Sequence, residues 1–168
     1  MLVRAEMEVD YKKLLEDYNY GLVAYSPLAG GFLTGKYNNG IPEDQIVRAN
    51  DASGWFPLEI TKQLFYNQHA TDKTVNMLKE LTVIAEKHGH KLTHLAIAWA
   101  IKYKHLDSAL VGARNAAQLE DTLKALEMYE KLTPELEAEI NKVLTTNPTP
   151  RMNFLIWAPH APVRPIAK

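Results

Sequence analysis

The sequence predicts an α/β chain in which helix outweighs strand, and three observations carry that expectation. Two short apolar runs, residues 21–25 and 108–111, have the length and even hydrophobicity of strands buried in a parallel sheet. Around them lie longer segments with apolar residues at i, i+3, i+4 and i+7, the spacing of helices with one buried stripe. Strand runs of this kind alternating with helices are the order of α/β folds.

Residues 6–18 form the first predicted helix. Tyr11, Leu14, Leu15 and Tyr18 repeat at helical spacing, and Glu6, Glu8 and Asp10 crowd the first turn, where the helix dipole favours acids. Asn19, Tyr20 and Gly21 end it with stop residues. The strand at 21–25 follows at once, as short αβ connections do.

That strand breaks at Ser26-Pro27 and opens through Gly30-Gly31 to Gly35-Lys36-Tyr37. Glycines let the backbone approach a ligand, free N–H groups can turn inward, and the lysine supplies charge. A phosphate is the natural occupant. The same residues also serve as plain turn punctuation, and Tyr25 as an ordinary core aromatic.

Residues 38–70 read as irregular, with Asn38-Asn39-Gly40, Pro42, Gly54-Trp55 and Pro57. An excursion of that length is a functional cover or an ordered Ω-type loop. Residues 71–88 are a helix with Leu78, Leu81 and Ala85 on its apolar face, stopped by Gly89. Thr93 suits the N-cap of a helix over 95–103. From Leu95 to Ile101 that helix is apolar almost all round, so it is expected to be buried on most sides, with Trp99 in the core.

After the second strand, ended by Gly112, Asn115 and Gln118 have the residues of a capping box, and Leu119, Leu123 and Leu126 run down one face. Thr133-Pro134 opens the last helix, whose stripe is Leu136, Ile140, Val143 and Leu144. The chain therefore divides into an ordered unit, 1–147, and an extended tail, 148–168. In the tail Pro148, Pro150, Pro159, Pro162 and Pro165 surround an apolar stretch from Phe154 to Trp157, a composition that forbids helix and suits a docking strap.

Composition excludes several classes. With 168 residues, 46% of them hydrophobic, the chain is one ordinary domain or part of one. Nineteen basic residues against 20 acidic argue against nucleic acid as a partner. There is no cysteine, so disulfides and thiolate metal sites are out. No apolar run reaches the ~20 residues of a membrane span, and acids close behind Arg4 do not suit a transit peptide. The default expectation is a cytoplasmic protein, with an organelle matrix as the alternative. His88, His90 and His94 are close in sequence, but no carboxylate or fourth ligand accompanies them and no metal is expected.

The run SPLAGG…GKY at 26–37 resembles the loop after the seventh strand of the aldo-keto reductases, closest to the potassium-channel beta subunit branch. Residues 110–121, LVGARNAAQLED, and Leu95-Ala-Ile-Ala-Trp99 resemble the same family in order and spacing, so the similarity runs from 1 to about 147. It implies a partial (β/α)8 barrel, about its last two βα units, since a complete barrel takes roughly 200 residues or more. It also implies NADP(H) as the cofactor. Tyr25 would stack on the nicotinamide, while Ser26, Pro27, Leu28, Ala29 and Gly30 would cover the pyrophosphate. Lys36 and Arg48 would meet phosphates, and Gly112, Arg114, Gln118 and Asp121 the adenosine with its 2′-phosphate.

Two departures touch that site. The family commonly has serine where this chain has Arg114, and a Glu-Asn pair where it has Asp121-Thr122. A third concerns chemistry. The family's catalytic Asp, Tyr, Lys and His come from its first four strands, whereas the similarity here begins after the sixth, so no catalytic residue is expected in this chain. Two strands also cannot close a barrel, and their edges call for other protein chains to complete or cover them. The expectation is an accessory or cofactor-sensing subunit of a larger assembly, association with a membrane protein complex included. The alternative is half of a split or truncated NADPH-dependent aldehyde or ketone reductase.

Overall fold

Two parallel strands lie side by side, and helical turns account for most of the other described residues. The structure, a computed structural model, describes residues 1–44, 46–54 and 57–148. Strand β1 (Leu22–Ala24) pairs with β2 (Leu106–Ala109), Leu22 opposite Leu106 and Ala24 opposite Ala109, with an irregularity after Leu22. The ladder is extended at both ends: Leu22 N–H donates to the His105 carbonyl and Leu110 N–H to that of Ala24, each at 2.8 Å. The connection between the strands carries α2 (Leu58–Lys62), α3 (Asp72–Lys87) and α4 (Leu92–Ile101). Ahead of β1 comes α1 (Lys12–Tyr18), and after β2 come α5 (Ala116–Leu123), α6 (Ala125–Glu130) and α7 (Pro134–Val143).

The core lies among the helices rather than on the strands. Leu78, Leu81 and Ala85 of α3, Leu95 and Ala98 of α4, Met128 of α6 and Ile140 of α7 have no exposed surface. The apolar α4 is the centre: Leu92 through Ala98 is buried apart from Thr93, as a helix hydrophobic on all sides must be. The first residues are tied to it. The Arg4 guanidinium binds Glu8 through two hydrogen bonds of 2.6 and 2.8 Å, lies 4.9 Å above the Trp99 ring, and reaches Asn147 Oδ1 at 2.9 Å.

Several local expectations shift. The first helix is broken at Tyr11, because a wider π-type turn, Glu6–Asp10, precedes α1. Strand β2 begins at Leu106, not 108, and Leu110 and Val111 lie beyond it. Polar Asp107 interrupts the apolar pattern at its start, and pairing with β1 decides its ends. The excursion at 38–70 is not wholly irregular, since α2 and a π-type turn, Gln63–Asn67, occupy its second half.

Helix α4 begins at Leu92 instead of 95. Lys91 is extended there, and its N–H is taken by the His94 ring at Nδ1, 3.3 Å away, so a histidine does the capping expected of Thr93. Leu119, Leu123 and Leu126 are exposed; α5 and α6 instead bury Thr122, Ala125 and Met128, which hold α4. Trp99 is only half-buried, under Arg4. The tail beyond Pro148 falls outside the described residues.

His90 and His94 are buried, with their Nδ1 atoms 3.4 Å apart. Burial, then the charges of Lys131 and His94, holds the His90 pKa below the usual 6.5. The unfolded chain thus binds that proton more readily than the folded one. Stability is full above the ordinary histidine value and is lost as pH falls through it, levelling off below the depressed folded value. Melting followed from about pH 7 to about pH 5 is expected to show this decline, and His90→Gln to flatten part of it. An unchanged slope in the variant would assign the acid sensitivity to carboxylates instead.

Candidate functional site

The loop that leaves β1 folds back under backbone conformations that few sequences tolerate. Ser26 and Ala29 have φ of 51° and 48°, Gly30 and Gly31 of 64° and 107°. Leu28, at φ −97° and ψ 10°, precedes Ala29. The turn uses part of its own backbone donors: the Ala29 N–H goes to the Ser26 carbonyl at 2.8 Å and the Gly31 N–H to that of Leu28 at 2.9 Å. Holding Ser26 and Ala29 left-handed costs about 1–2 kcal/mol each, so the surrounding structure has to enforce it.

Aromatic packing supplies that enforcement. Phe32, next to the glycine pair, is buried with Tyr37 and lies 5.0 Å from its ring, and both rings meet Tyr66 at 5.7 and 5.6 Å. The Tyr37 hydroxyl accepts the Ala49 N–H at 3.2 Å and donates to the Gly30 carbonyl at 3.4 Å. One buried phenol thereby joins the glycine loop to the turn Arg48–Asn50. That turn is pinned in its own right, since Asn50 Oδ1 accepts the Val47 N–H at 2.7 Å and its amide donates to the Pro42 carbonyl at 3.0 Å.

Gly30 cannot be replaced without moving this frame. A Cβ there would lie 2.9 Å from both Cβ and Cγ of Phe65, at a left-handed φ. Conformational strain of about 1–2 kcal/mol and overpacking of about 1–3 kcal/mol combine, so Gly30→Ala is expected to destabilise by about 2–5 kcal/mol in urea unfolding. A loss under about 1 kcal/mol would mean that Phe65 swings aside freely.

Between this loop and the segment after β2 runs a cleft of about 560 Å³. Of the site residues expected from sequence, it brings together Ser26, Pro27, Leu28, Gly30, Lys36, Arg48, Gly112, Arg114 and Gln118. Gly31, Thr34, Ile46, Val47, Leu110, Val111 and Ala113 complete its walls. Three expected residues are not in the lining. Tyr25 is 83% exposed at the end of β1. Ala29 belongs to the loop but not to the cleft wall. Asp121 faces α4, where both its oxygens accept from the Lys91 ammonium at 2.9 Å and one lies 3.6 Å from His94 Nε2.

The cleft is cationic. Withdrawal of Lys36 from water, then the nearby Arg114 and Arg48, hold its pKa below that of an ordinary lysine. Arg48 lies 5.4 Å above the Phe65 ring. Arg114 reaches across to the segment 46–54, donating to the Ile46 carbonyl at 3.0 Å and standing 3.6 Å from Asp51 Oδ2. Asn115 caps α5 by accepting the Gln118 N–H at 2.8 Å, and the Gln118 side chain accepts the Arg114 N–H at 2.8 Å. Gln118 therefore closes the turn before α5 through the Arg114 N–H rather than the Asn115 N–H that a capping box would use.

Asp51 and Ile46 were invisible to sequence reading, because their part depends on Arg114 reaching them across 63 and 68 positions. Sequence spacing carries no signal for such a bridge.

The charges suited to a dinucleotide's phosphates are those of the side chains, a lysine and two arginines lining one cleft beside a turn of positive φ, since the Ala29 and Gly31 N–H groups already donate within the loop. Among the described residues no group of histidines and carboxylates could hold a metal, and no helix is long and apolar enough to cross a membrane.

Comparison with known proteins gives consistent results. The sequence model of the Aldo/keto reductase family matches residues 2–145. A putative voltage-gated potassium channel subunit beta of Schizosaccharomyces pombe is 33% identical over 147 residues, which is 88% of this chain and 40% of that protein. Probable voltage-gated potassium channel subunits beta of Arabidopsis thaliana and Oryza sativa are 34% and 36% identical, over 88% and 86% of this chain and 42% of each relative. The chain thus spans about two fifths of the length of these relatives. Among solved structures, a glycerol dehydrogenase from Gluconobacter oxydans superposes with a TM-score of 0.54 at 24% identity, covering 89% of this chain and 42% of its own. That likeness is one of fold: the two parallel strands and their helices correspond to part of a barrel.

Proposed function

Because the chain belongs to the aldo/keto reductase family, we propose that its cleft holds the phosphate end of NADP(H), and that it works as an accessory or cofactor-sensing subunit within a larger assembly. The observation that carries the cofactor reading is the meeting of Lys36, Arg48 and Arg114 around a glycine turn with left-handed backbone. Arginine suits phosphate through its planar fork, and Lys36 adds a point charge. Arg114 is a stronger phosphate partner than the serine it stands for, and it is already engaged by Asp51. When bound, NADP(H) supplies or accepts hydride at its nicotinamide end. The residues here orient and neutralise its other end.

The subunit reading rests on what lies uncovered. Val23, Tyr25 and Leu110, at or next to the strands, are 59%, 83% and 57% exposed, and Leu119, Leu123 and Leu126 add a further apolar stripe. Exposed apolar side chains next to unpaired strand edges support the reading that another polypeptide covers them. Other polypeptide completing the sheet edges would cover it, and the channel-beta relatives suggest a membrane-protein complex as the setting. A second reading is favoured by the span of two fifths of the relatives: these residues are one part of an NADPH-dependent aldehyde or ketone reductase, its proton donor supplied by another segment or chain.

Isolation of the native particle, with mass spectrometry of its chains and an NADPH fluorescence titration on the same preparation, separates these readings. Co-purifying chains with NADPH binding and no carbonyl reduction support the subunit. Turnover of an aldehyde supports the split enzyme. Absence of NADPH binding at millimolar concentration removes the cofactor-sensing and enzyme readings together and leaves only a structural subunit.

A further inference from the structure

Lys36 differs from the ion-paired lysines of this chain in the charges around it. Lys13, Lys87, Lys91 and Lys104 each pair with a carboxylate, of Asp17, Glu139, Asp121 and Glu16. No carboxylate pairs with the Lys36 ammonium among the described residues, and the charges that reach it are those of Arg114 and Arg48. Its side chain lies over Gly31, so close that a Cβ at that glycine would meet its Nζ, and the ammonium stands 5.1 Å from the Tyr37 ring centroid. It nevertheless lines an open cleft, and the residue is solvent-exposed. An amine next to other cations gives up its proton more readily than an ordinary lysine, and the uncharged amine is the nucleophilic form. The two arginines beside it are suited to gripping a phosphate.

We propose that Lys36 is an acylation site, modified by small acyl phosphates whose phosphate end is held by Arg48 and Arg114. The inference rests on the reading that the cleft takes phosphate groups. The uncharged amine attacks the acyl carbon and forms the amide C–N bond. The C–O bond to phosphate breaks, inorganic phosphate leaves with that electron pair, and the proton lost from nitrogen passes to it. Nothing is oxidised or reduced, and no further reactant is needed. The modification replaces a cation in the cleft with a neutral amide, so it would weaken the hold on any phosphate ligand.

The test is peptide mass spectrometry of the full chain, in its native assembly, incubated with acetyl phosphate. Lys36 is expected to be acetylated at least about tenfold faster than Lys91 and Lys104, the low end of what a focused cationic field adds to local concentration. The double variant Arg48→Gln/Arg114→Gln should bring Lys36 down to their rate. With acetic anhydride, which carries no phosphate, the preference should shrink. An ordinary rate at Lys36 in the unmodified protein, or an equal preference from acetic anhydride, overturns the proposal. An NADPH titration on the same sample keeps the two ideas apart. NADPH binding without Lys36 preference sinks acylation alone, whereas Lys36 preference without NADPH binding leaves acylation standing and removes the cofactor.

Discussion

Leu95→Ala is expected to cost about 2–5 kcal/mol of stability, enough to unfold a marginal domain at ordinary temperature. Leu95 has no exposed surface. It sits on α4, which packs against α3, α5 and α6 and against the glycine loop, so the void cannot be filled from one side alone. Both losses, of transfer energy and of packing around a residual cavity, fall on the same helix. Urea unfolding followed by circular dichroism measures it. Leu119→Ala, on the exposed stripe, is the contrast: within about 0.5 kcal/mol of the parent for the isolated chain, as for most surface changes. If the two variants cost the same, α4 is not the centre of this fold. In the native assembly, a large cost for Leu119→Ala would instead place that stripe in an interface.

NADPH binding should fall about 10- to 100-fold for Lys36→Gln or for Arg48→Gln, since a hydrogen bond to a charged group contributes about 1.5–3 kcal/mol. The double variant should lose more than either, with the salt dependence of binding reduced because fewer charges take part. Fluorescence titration at two ionic strengths gives both quantities. Asp51→Asn moves the other way, because it frees Arg114 from its carboxylate and leaves a cation available to the ligand. Unchanged affinity in the Lys36 and Arg48 variants would separate the cleft from cofactor binding altogether.

The helices were largely legible in the sequence because their signals are local. Thr71 accepts the Thr74 N–H at 3.2 Å ahead of α3, and Thr133 that of Leu136 at 3.3 Å ahead of α7, within one turn of the residues that predict them. The loop from Ser26 to Tyr37 was legible for a similar reason: a glycine pair beside Ser-Pro is turn chemistry, because glycine admits the left-handed backbone that other residues resist. The ends of β2 were not, since Asp107 looks like a loop residue until Leu106 finds Leu22 across the sheet. Nor was the buried stripe of α5 and α6. Leucines at 119, 123 and 126 have the right spacing, but α4 lies on the side of Thr122, Ala125 and Met128.

By itself the sequence determined the α/β class, the sites of most helices, the glycine turn and the identity of its cations, because these follow from chain-local conformation and residue chemistry. Only the tertiary structure decided which of those groups share a cleft. It set Arg114 against Asp51 and Ile46 and turned Asp121 toward Lys91. Hydrogen bonds and ion pairs between distant residues exist only once packing has brought the residues together, and no pattern along the chain encodes the direction in which a side chain will then point.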